Sequence, residues 1–407
     1  MNVDDIVRDA LRDQAAEQPP VEAGFTDHVL AVRRRRRTRR AVAVAVAAVV
    51  AVAVGVGVPL LDSGKEDARP SGGIVTPKKV ESHPDQSPPR DRISVGGTTL
   101  AGYSIAETVK KSADSAAYQR TYYLLNPKTG KYAKAADWSW VAVAPGGRTA
   151  AVLERDLPAS RIGLLDLTTG KVRRWIQVDH GVGGVTFSRD GRKLIATTYS
   201  QNPDRLVKVQ GNVEWGRPWT SSRTGFFVLD VASGDGDWTE IKLAGDPDDP
   251  LRGTMLNSRQ DFALSDDGRY VWEGRPMEPG YAFYDLTGKE VPVPAGYKYL
   301  SWSVDAGMSP DGKLVVGDFA GKRWKTSSYV VDATTGEKTE VRGQQLLAWV
   351  GNRRLIAWDI GENDKNEHHN RLVLVTIGSD KEIPLSGFRE GNTPDGAGRW
   401  YPLFAQP

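Results

Sequence analysis

The chain has 407 residues, with Lys+Arg 54 against Asp+Glu 51 and no cysteine. The length suits one large domain with appendages, and the missing cysteines exclude disulfides, thiolate nucleophiles and Cys-ligated metals. The basic excess is local: residues 1–61 hold nine arginines and seven acids, leaving 45 basic and 44 acidic residues beyond them and no basic face for nucleic acid.

Residues 2–16 place Val3, Ile6, Val7, Ala10 and Leu11 at helical spacing behind Asp4 and Asp5, charges that suit a helix N-terminus. Pro19 and Pro20 interrupt, and a second short helix is expected from about Thr26, a suitable N-cap. Residues 1–40 contain too few apolar groups for a core of their own. They read as a partly ordered tail that helps set topology, or as a docking peptide in which residues 1–30 meet a cytoplasmic protein partner.

Seven arginines, Arg33–Arg37, Arg39 and Arg40, stand directly before Ala41–Leu61, which has no charged or hydrogen-bonding side chain. As a helix those 21 residues span roughly 30 Å, the thickness of a hydrocarbon core. The Ala/Val alternation would suit a strand in water, but in lipid a lone strand leaves its backbone polar groups unpaired. A transmembrane helix is therefore expected over 41–61, with the N-terminus cytoplasmic by the positive-inside rule. A cleaved export signal would have a shorter apolar core and a small-residue cleavage site. The arginines Arg33–Arg40 would meet anionic lipid, not nucleic acid. Ala43, Ala47, Ala51 and Gly55 put a small residue at every fourth position, a helix-contact ridge or simply the outcome of an Ala/Val/Gly tract. Residues 62–92 contain five prolines and read as an extended linker reaching up to roughly 90 Å.

From residue 93 onward two turn motifs alternate. The first is an apolar run ending in a turn: TYYLLNPKTGK (121–131), RIGLLDLTTGK (161–171), GFFVLDVASGD (225–235), YAFYDLTGKEV (281–291), SYVVDATTGEK (328–338) and a degenerate RLVLVTIGSDK (371–381). Asn126, Asp166, Asp230, Asp285 and Asp332 occupy its key column, where a short side chain accepts the amide two residues on; Thr376 replaces them in the last copy. Gly130, Gly170, Gly234, Gly288 and Gly336 follow to supply the positive φ. The second motif is VAPGGRT (143–149), FSRDGRK (187–193), LSDDGRY (264–270), MSPDGKL (308–314) and a weaker WVGNRRL (349–355), with NTPDGAG (392–398) as a further copy. Its Asp190–Gly191, Asp267–Gly268 and Asp311–Gly312 pairs fit a type I turn closed by a left-handed glycine.

Copies mostly recur every 40–47 residues, the period of a four-stranded propeller blade. Here the chain resembles the WD-repeat-like β-propellers of bacterial membrane-anchored envelope proteins, over about 310 residues, although no copy carries both the Gly-His and Trp-Asp signatures. The resemblance implies an all-β propeller ectodomain over 93–407, and six hairpins of the first kind argue for six blades, with seven as the alternative; a solenoid or a sandwich is the other all-β reading. The C-terminal GRWYPLFA would pair with strands from 93–125 to close the ring.

In a four-stranded meander the A–B and C–D turns share one face, and the B–C and D–A connections share the other. The tight turns above fall on the first. The long segments 200–224, 244–260, 273–280, 318–328 and 361–370 fall on the second, where scaffolded loops usually bind. A binding face is expected there, with Trp215, Trp219, Trp324, Arg217 and Arg323 exposed on it. His368 and His369, with Glu362, Asp364 and Glu367, suit a metal or a solvated loop. DPDDP (246–250) lacks the spacing of a calcium loop. Trp138, Trp140 and Trp302 suit stacking on sugars or packing between blades.

No nucleophile elbow or phosphate loop appears, so no catalytic, cofactor or metal site is expected. The expected function is a single-pass membrane protein displaying its propeller as a module for a ligand or protein outside the cytoplasm. The layout also resembles membrane-bound anti-sigma regulators, though without their His/Cys zinc pattern. A hydrolase or lyase acting on envelope polymers is the third reading.

Overall fold

The computed structural model describes residues 80–208, 215–218, 221–241, 259–275, 280–301, 305–361, 366–389 and 399–407. The helices expected before residue 40, the span 41–61, most of the linker, Trp219, DPDDP, Trp302, Glu362, Asp364 and NTPDGAG lie outside them.

The described chain is all-β, its one helical element being a 3-10 turn at Ala295–Tyr297. The strands in chain order are β1 (Val80–Glu81), β2 (Ser94–Val95), β3 (Thr98–Lys110), β4 (Ser115–Asn126) and β5 (Lys131–Ala135), then β6 (Trp138–Val143), β7 (Thr149–Glu154), β8 (Ala159–Asp166) and β9 (Lys171–Phe187). There follow β10 (Lys193–Tyr199), β11 (Arg205–Lys208), β12 (Trp215–Gly216), β13 (Arg223–Asp230), β14 (Gly236–Glu240), β15 (Ala263–Leu264), β16 (Tyr270–Gly274), β17 (Tyr281–Asp285) and β18 (Glu290–Val291). The last are β19 (Leu314–Phe319), β20 (Ser327–Asp332), β21 (Lys338–Arg342), β22 (Gln345–Trp349), β23 (Arg354–Asp359), β24 (Arg371–Thr376), β25 (Glu382–Pro384) and β26 (Trp400–Ala405).

They form successive antiparallel meanders. The first is β26-β3-β4-β5, the second β6-β7-β8-β9, and the third the far half of β9 with β10-β13-β14. The fourth is β15 to β18, the fifth β19 to β21 with a bridge from Met308 to Val315, and the sixth β22 to β25. The pairing expected of GRWYPLFA is present: β26 runs antiparallel to β3, with Trp400 opposite Ile105 and Ala405 opposite Thr99.

Each sheet buries both faces against its neighbours. One apolar cluster joins the second and third meanders through Leu153, Ile162, Leu194 and Phe227. Others join third to fourth through Phe226 and Phe262, fourth to fifth through Trp272 and Val331, and fifth to sixth through Val330 and Trp349. The sixth meets the first through Trp358, Leu374, Tyr103 and Trp400, and the first meets the second through Tyr122 and Val152. This closed succession is the arrangement of a β-propeller. It explains why middle strands are unbroken apolar runs, as in β7 (TAAVLE) and β24 (RLVLVT), whose inner residues are all buried. Outer strands such as β5 (KYAKA) are largely exposed. Val143, Phe187, Trp349 and Phe404, from four of the innermost strands, line one cavity of about 400 Å³. It lies beside the A–B turns and is flanked by Gln406 and Pro407, with Gly146 N donating to Gln406 O at 2.8 Å.

The turns hold the geometry their sequence requires. Asp166 Oδ1 accepts the Thr168 amide at 2.7 Å, and Asp230, Asp285 and Asp332 accept those of Ala232, Thr287 and Thr334 at 2.9 Å. Gly130, Gly170, Gly234, Gly288 and Gly336 follow with φ of 67–83°. In the degenerate copy a backbone bond from Ser379 N to Thr376 O takes over. In the second series Gly191, Gly268 and Gly312 have φ of 67–72°. A preceding serine, unnoticed in the sequence, completes each of these turns. Ser188, Ser265 and Ser309 donate to Asp190, Asp267 and Asp311 at 2.6, 2.6 and 2.8 Å, and accept the amides of Lys193, Tyr270 and Leu314.

These bonds hold the turn carboxyls below their usual range: Asp190 through the Ser188 hydroxyl, Asp230 through the Ser233 amide, Asp285 through Thr287 and Asp332 through the Thr335 amide. A carboxyl depressed in the folded state contributes stability above its unfolded pKa and loses it as pH falls through the folded value. The urea midpoint is therefore expected to drop between about pH 4 and pH 2. The double variant Asp230→Asn, Asp332→Asn should show a shallower drop; an unchanged slope would refute the assignment.

The linker expected over 62–92 ends earlier, because residues from 80 onward belong to the folded body. Strand β1 pairs with β2, His83 N donates to Leu385 O at 2.9 Å, and Gly387 N donates to Gln86 O at 2.8 Å. Gln86 is buried and caps its own turn by accepting the amides of Arg90 and Asp91. The segment packs through polar groups, so its composition resembles that of a linker.

Candidate functional site: the rim that carries the insertions

Antiparallel order puts β10-to-β13, β16-to-β17, β19-to-β20 and β23-to-β24 connections on the same rim as the β14-to-β15 and β25-to-β26 links. The tight turns emerge on the opposite rim. The long insertions thus share one rim, and the structure draws the residues expected there into separate nests.

The first nest lies under the insertion that leaves β10 at Tyr199. The insertion belongs to the third meander, yet β11 adds to the first: Arg205, Leu206 and Val207 pair with Ala117, Ala116 and Ser115 at the start of β4. Asp204 anchors the crossing. Its carboxylate accepts Arg120 Nη1 and Nη2 at 2.6 and 3.1 Å and Arg259 Nη1 at 2.7 Å, and its carbonyl accepts the Tyr118 amide. Arg259 also donates to Asp261 at 2.9 Å and to Gly183 O, and Tyr199 donates to Asp261 at 2.8 Å. Gly183 and Gly184 admit this packing, since a Cβ on either would overlap Tyr199 or the Asp261 carboxyl. The Arg259 guanidinium lies 3.9 Å from the Trp140 ring centre, and Trp140 Nε1 donates to Val185 O. Trp140 is thus a packing residue, as is Trp138 beside Trp175. Burial works against the Asp204 carboxylate, but Arg259 and Arg120 outweigh it and hold its pKa down.

Arg217 and Trp215 flank this nest half-buried, not exposed as expected. Arg217 donates to Pro203 O at 3.3 Å and lies over Tyr118, and burial lowers its pKa. The sequence treated these side chains as loop decoration, whereas β12 pairs with β11 and folds them down.

The second nest is on the fifth meander. Arg323 is exposed and pairs at 2.7 Å with Asp380 of the β24-to-β25 turn, so this insertion folds down over the outer edge of its meander towards the turn side and does not stand up on the rim. The Arg323 guanidinium is 4.7 Å from the ring of Trp324, which is half-buried. Glu340 shapes the loop by accepting the Lys322 and Arg323 amides and Ser327 Oγ at 3.0, 2.6 and 2.5 Å. Beside it Trp324, Lys325, Thr326, Arg342, Asp359 and Gly361 line a cleft of about 480 Å³.

The third nest is on the sixth meander. His369 stacks on Phe388 at 4.7 Å, and His368 Nε2 is 3.5 Å from Glu367. Among the described residues no group of three or more metal-ligating side chains forms. Burial and the neighbouring Arg399 and Arg389 lower the His368 pKa against Glu367. Arg389 is almost fully buried between the rings of Trp358 and Tyr401. Sequence reasoning missed Arg120, Asp204, Arg259, Asp261 and Arg389, because no local motif marks residues whose partners are far away in the chain.

No protein-family model and no curated protein matches the chain. Among solved structures it is similar to the Cps50 (Swd1) β-propeller domain of Myceliophteria thermophila, with 13% identity and a TM-score of 0.37 over 74% of this chain and 89% of that one. TolB from Acinetobacter baumannii is 12% identical with a TM-score of 0.34, over 70% of this chain and 67% of that one. The β-propeller domain of the trilobed protease from Pyrococcus furiosus is 14% identical with a TM-score of 0.37, over 76% of this chain and 83% of that one. Similarity at this level assigns no role to any residue.

Proposed function

We propose that the chain is a single-pass membrane protein, N-terminus cytoplasmic, that presents a six-bladed propeller outside the cytoplasm as a ligand- or protein-binding module. The observation that carries the reading is the shared rim: the long insertions emerge on one side, bearing arginines and aromatic rings, while tight turns occupy the other. Six apolar clusters in cyclic succession support six blades. Anchoring rests on the sequence of 33–61. No helix of the described residues is long and apolar enough to cross a membrane.

Two measurements test this. Protease added to intact cells should digest the propeller while residues 1–40 stay protected; full protection of the propeller refutes the topology. Envelope material that co-purifies with the full-length protein should be lost in the variant Arg323→Ala, Trp324→Ala and kept in Lys128→Ala, Thr334→Ala on the opposite rim. The reverse pattern would move the binding face.

A further inference from the structure

We infer that the insertion-bearing rim holds an oxyanion site centred on the Arg389 guanidinium, which takes a carboxylate or phosphate group of the ligand, with His368 and Tyr401 at its margin. The inference deepens the binding-module reading and relies on it only for the identity of the rim.

Arg389 is 5% exposed. Its Nε donates to Asn370 Oδ1 at 2.8 Å and its Nη1 to Trp400 O at 2.9 Å, and both acceptors are neutral. The guanidinium carbon lies 4.0 Å from the centre of Trp358 and 5.5 Å from that of Tyr401, so aromatic rings take the place of a counter-charge. No carboxylate of the described residues lies within ion-pair distance of it, and the charged side chain that acts on it is a second cation, Arg399. The buried guanidinium groups of Arg223 and Arg259 differ: Arg223 meets Glu273, and Arg259 meets Asp204 and Asp261. A buried charge is ordinarily paired, because desolvation without a partner is costly. Burial accordingly brings the Arg389 pKa down to about 10.

The geometry leaves a place for the missing anion. Asn370 and Trp400 fix the Nε and Nη1 edges, while Nη2 donates to no described residue. A planar fork held in place and open at one end suits a carboxylate or phosphate oxygen. His368 feels both Arg389 and Arg399, with the half-exposed Glu367 as its nearby acid. Tyr401, 43% exposed, offers a ring to whatever carries the anion.

The test uses the full-length protein in detergent, with sodium phosphate, sodium acetate and sodium chloride at equal ionic strength. Calorimetric titration should show phosphate or acetate binding beyond the chloride control, and Arg389→Gln should weaken it by about ten-fold or more. The stronger of the two oxyanions identifies the ligand's group. The imidazole of wild-type His368 should titrate at a higher pH once the oxyanion is added, a readout that needs no folded variant. A response no greater than to chloride, equal binding by Arg389→Gln, or an unmoved His368 titration would overturn the inference. Rim-dependent capture with no oxyanion response removes this site alone; oxyanion binding without rim-dependent capture removes the binding-module reading alone.

Discussion

Asp204→Ala is expected to lower the unfolding free energy by about 3–5 kcal/mol, the cost of stranding a buried partner charge. The Asp204 side chain is 3% exposed, and those of Arg259 and Arg120 are 5% and 18% exposed. Removing the carboxylate leaves Arg259 with Asp261 alone and strips Arg120 of its ion pair. It also removes the side-chain link from the insertion to Arg120 of β4, leaving only the backbone pairing of β11 with β4. The control is the pair Arg323–Asp380, whose side chains are 56% and 64% exposed. Asp380→Ala should cost at most about 0.5 kcal/mol, because water screens an exposed pair. Urea unfolding of both variants decides the matter: equal midpoints would mean the Asp204 network is not the latch its burial indicates. Acidification should act like the mutation, since a carboxyl depressed by two guanidinium groups loses its contribution as pH falls through the folded pKa.

Trp400→Ala should cost about 3–5 kcal/mol, as truncation of a buried tryptophan does. Trp400 is 2% exposed, meets Tyr103 and Trp358 edge-on at 5.7 and 5.0 Å, and donates its indole N–H to Ser87 at 3.0 Å. It sits on β26, which pairs with β3 and completes the first meander, so its loss weakens closure as well as one core. The variant should expose both β1 and β26 to limited proteolysis. Tyr401→Ala, one residue on and 43% exposed, should cost about 1 kcal/mol or less. If the two variants melt together and are cut alike, closure does not depend on the buried indole.

The local signals of this chain were legible without a structure. Asp166, Asp230, Asp285 and Asp332 act within two residues of themselves, and the glycines that follow answer a backbone requirement, so each motif carries its own explanation. The grouping of insertions on one rim followed from antiparallel order alone, and the pairing of 400–405 followed from the need to close a ring. The burial of Trp215, Arg217 and Trp324 was not legible, because residue type does not say whether a loop stands up or folds back. Nor was the attachment of residues 80–92, where Gln86 and Ser87 serve where apolar side chains would have announced themselves.

Strand identity, turn chemistry and the sidedness of the connections were determined by the sequence, since they depend on neighbours in the chain. Only the tertiary structure decided that Asp204 reaches Arg120 and Arg259, 84 and 55 residues away. It also decided that Arg389 lies between aromatic rings instead of against an acid. Charge pairing in a buried site depends on which distant backbones bring their side chains within about 3 Å, and no local pattern encodes that distance.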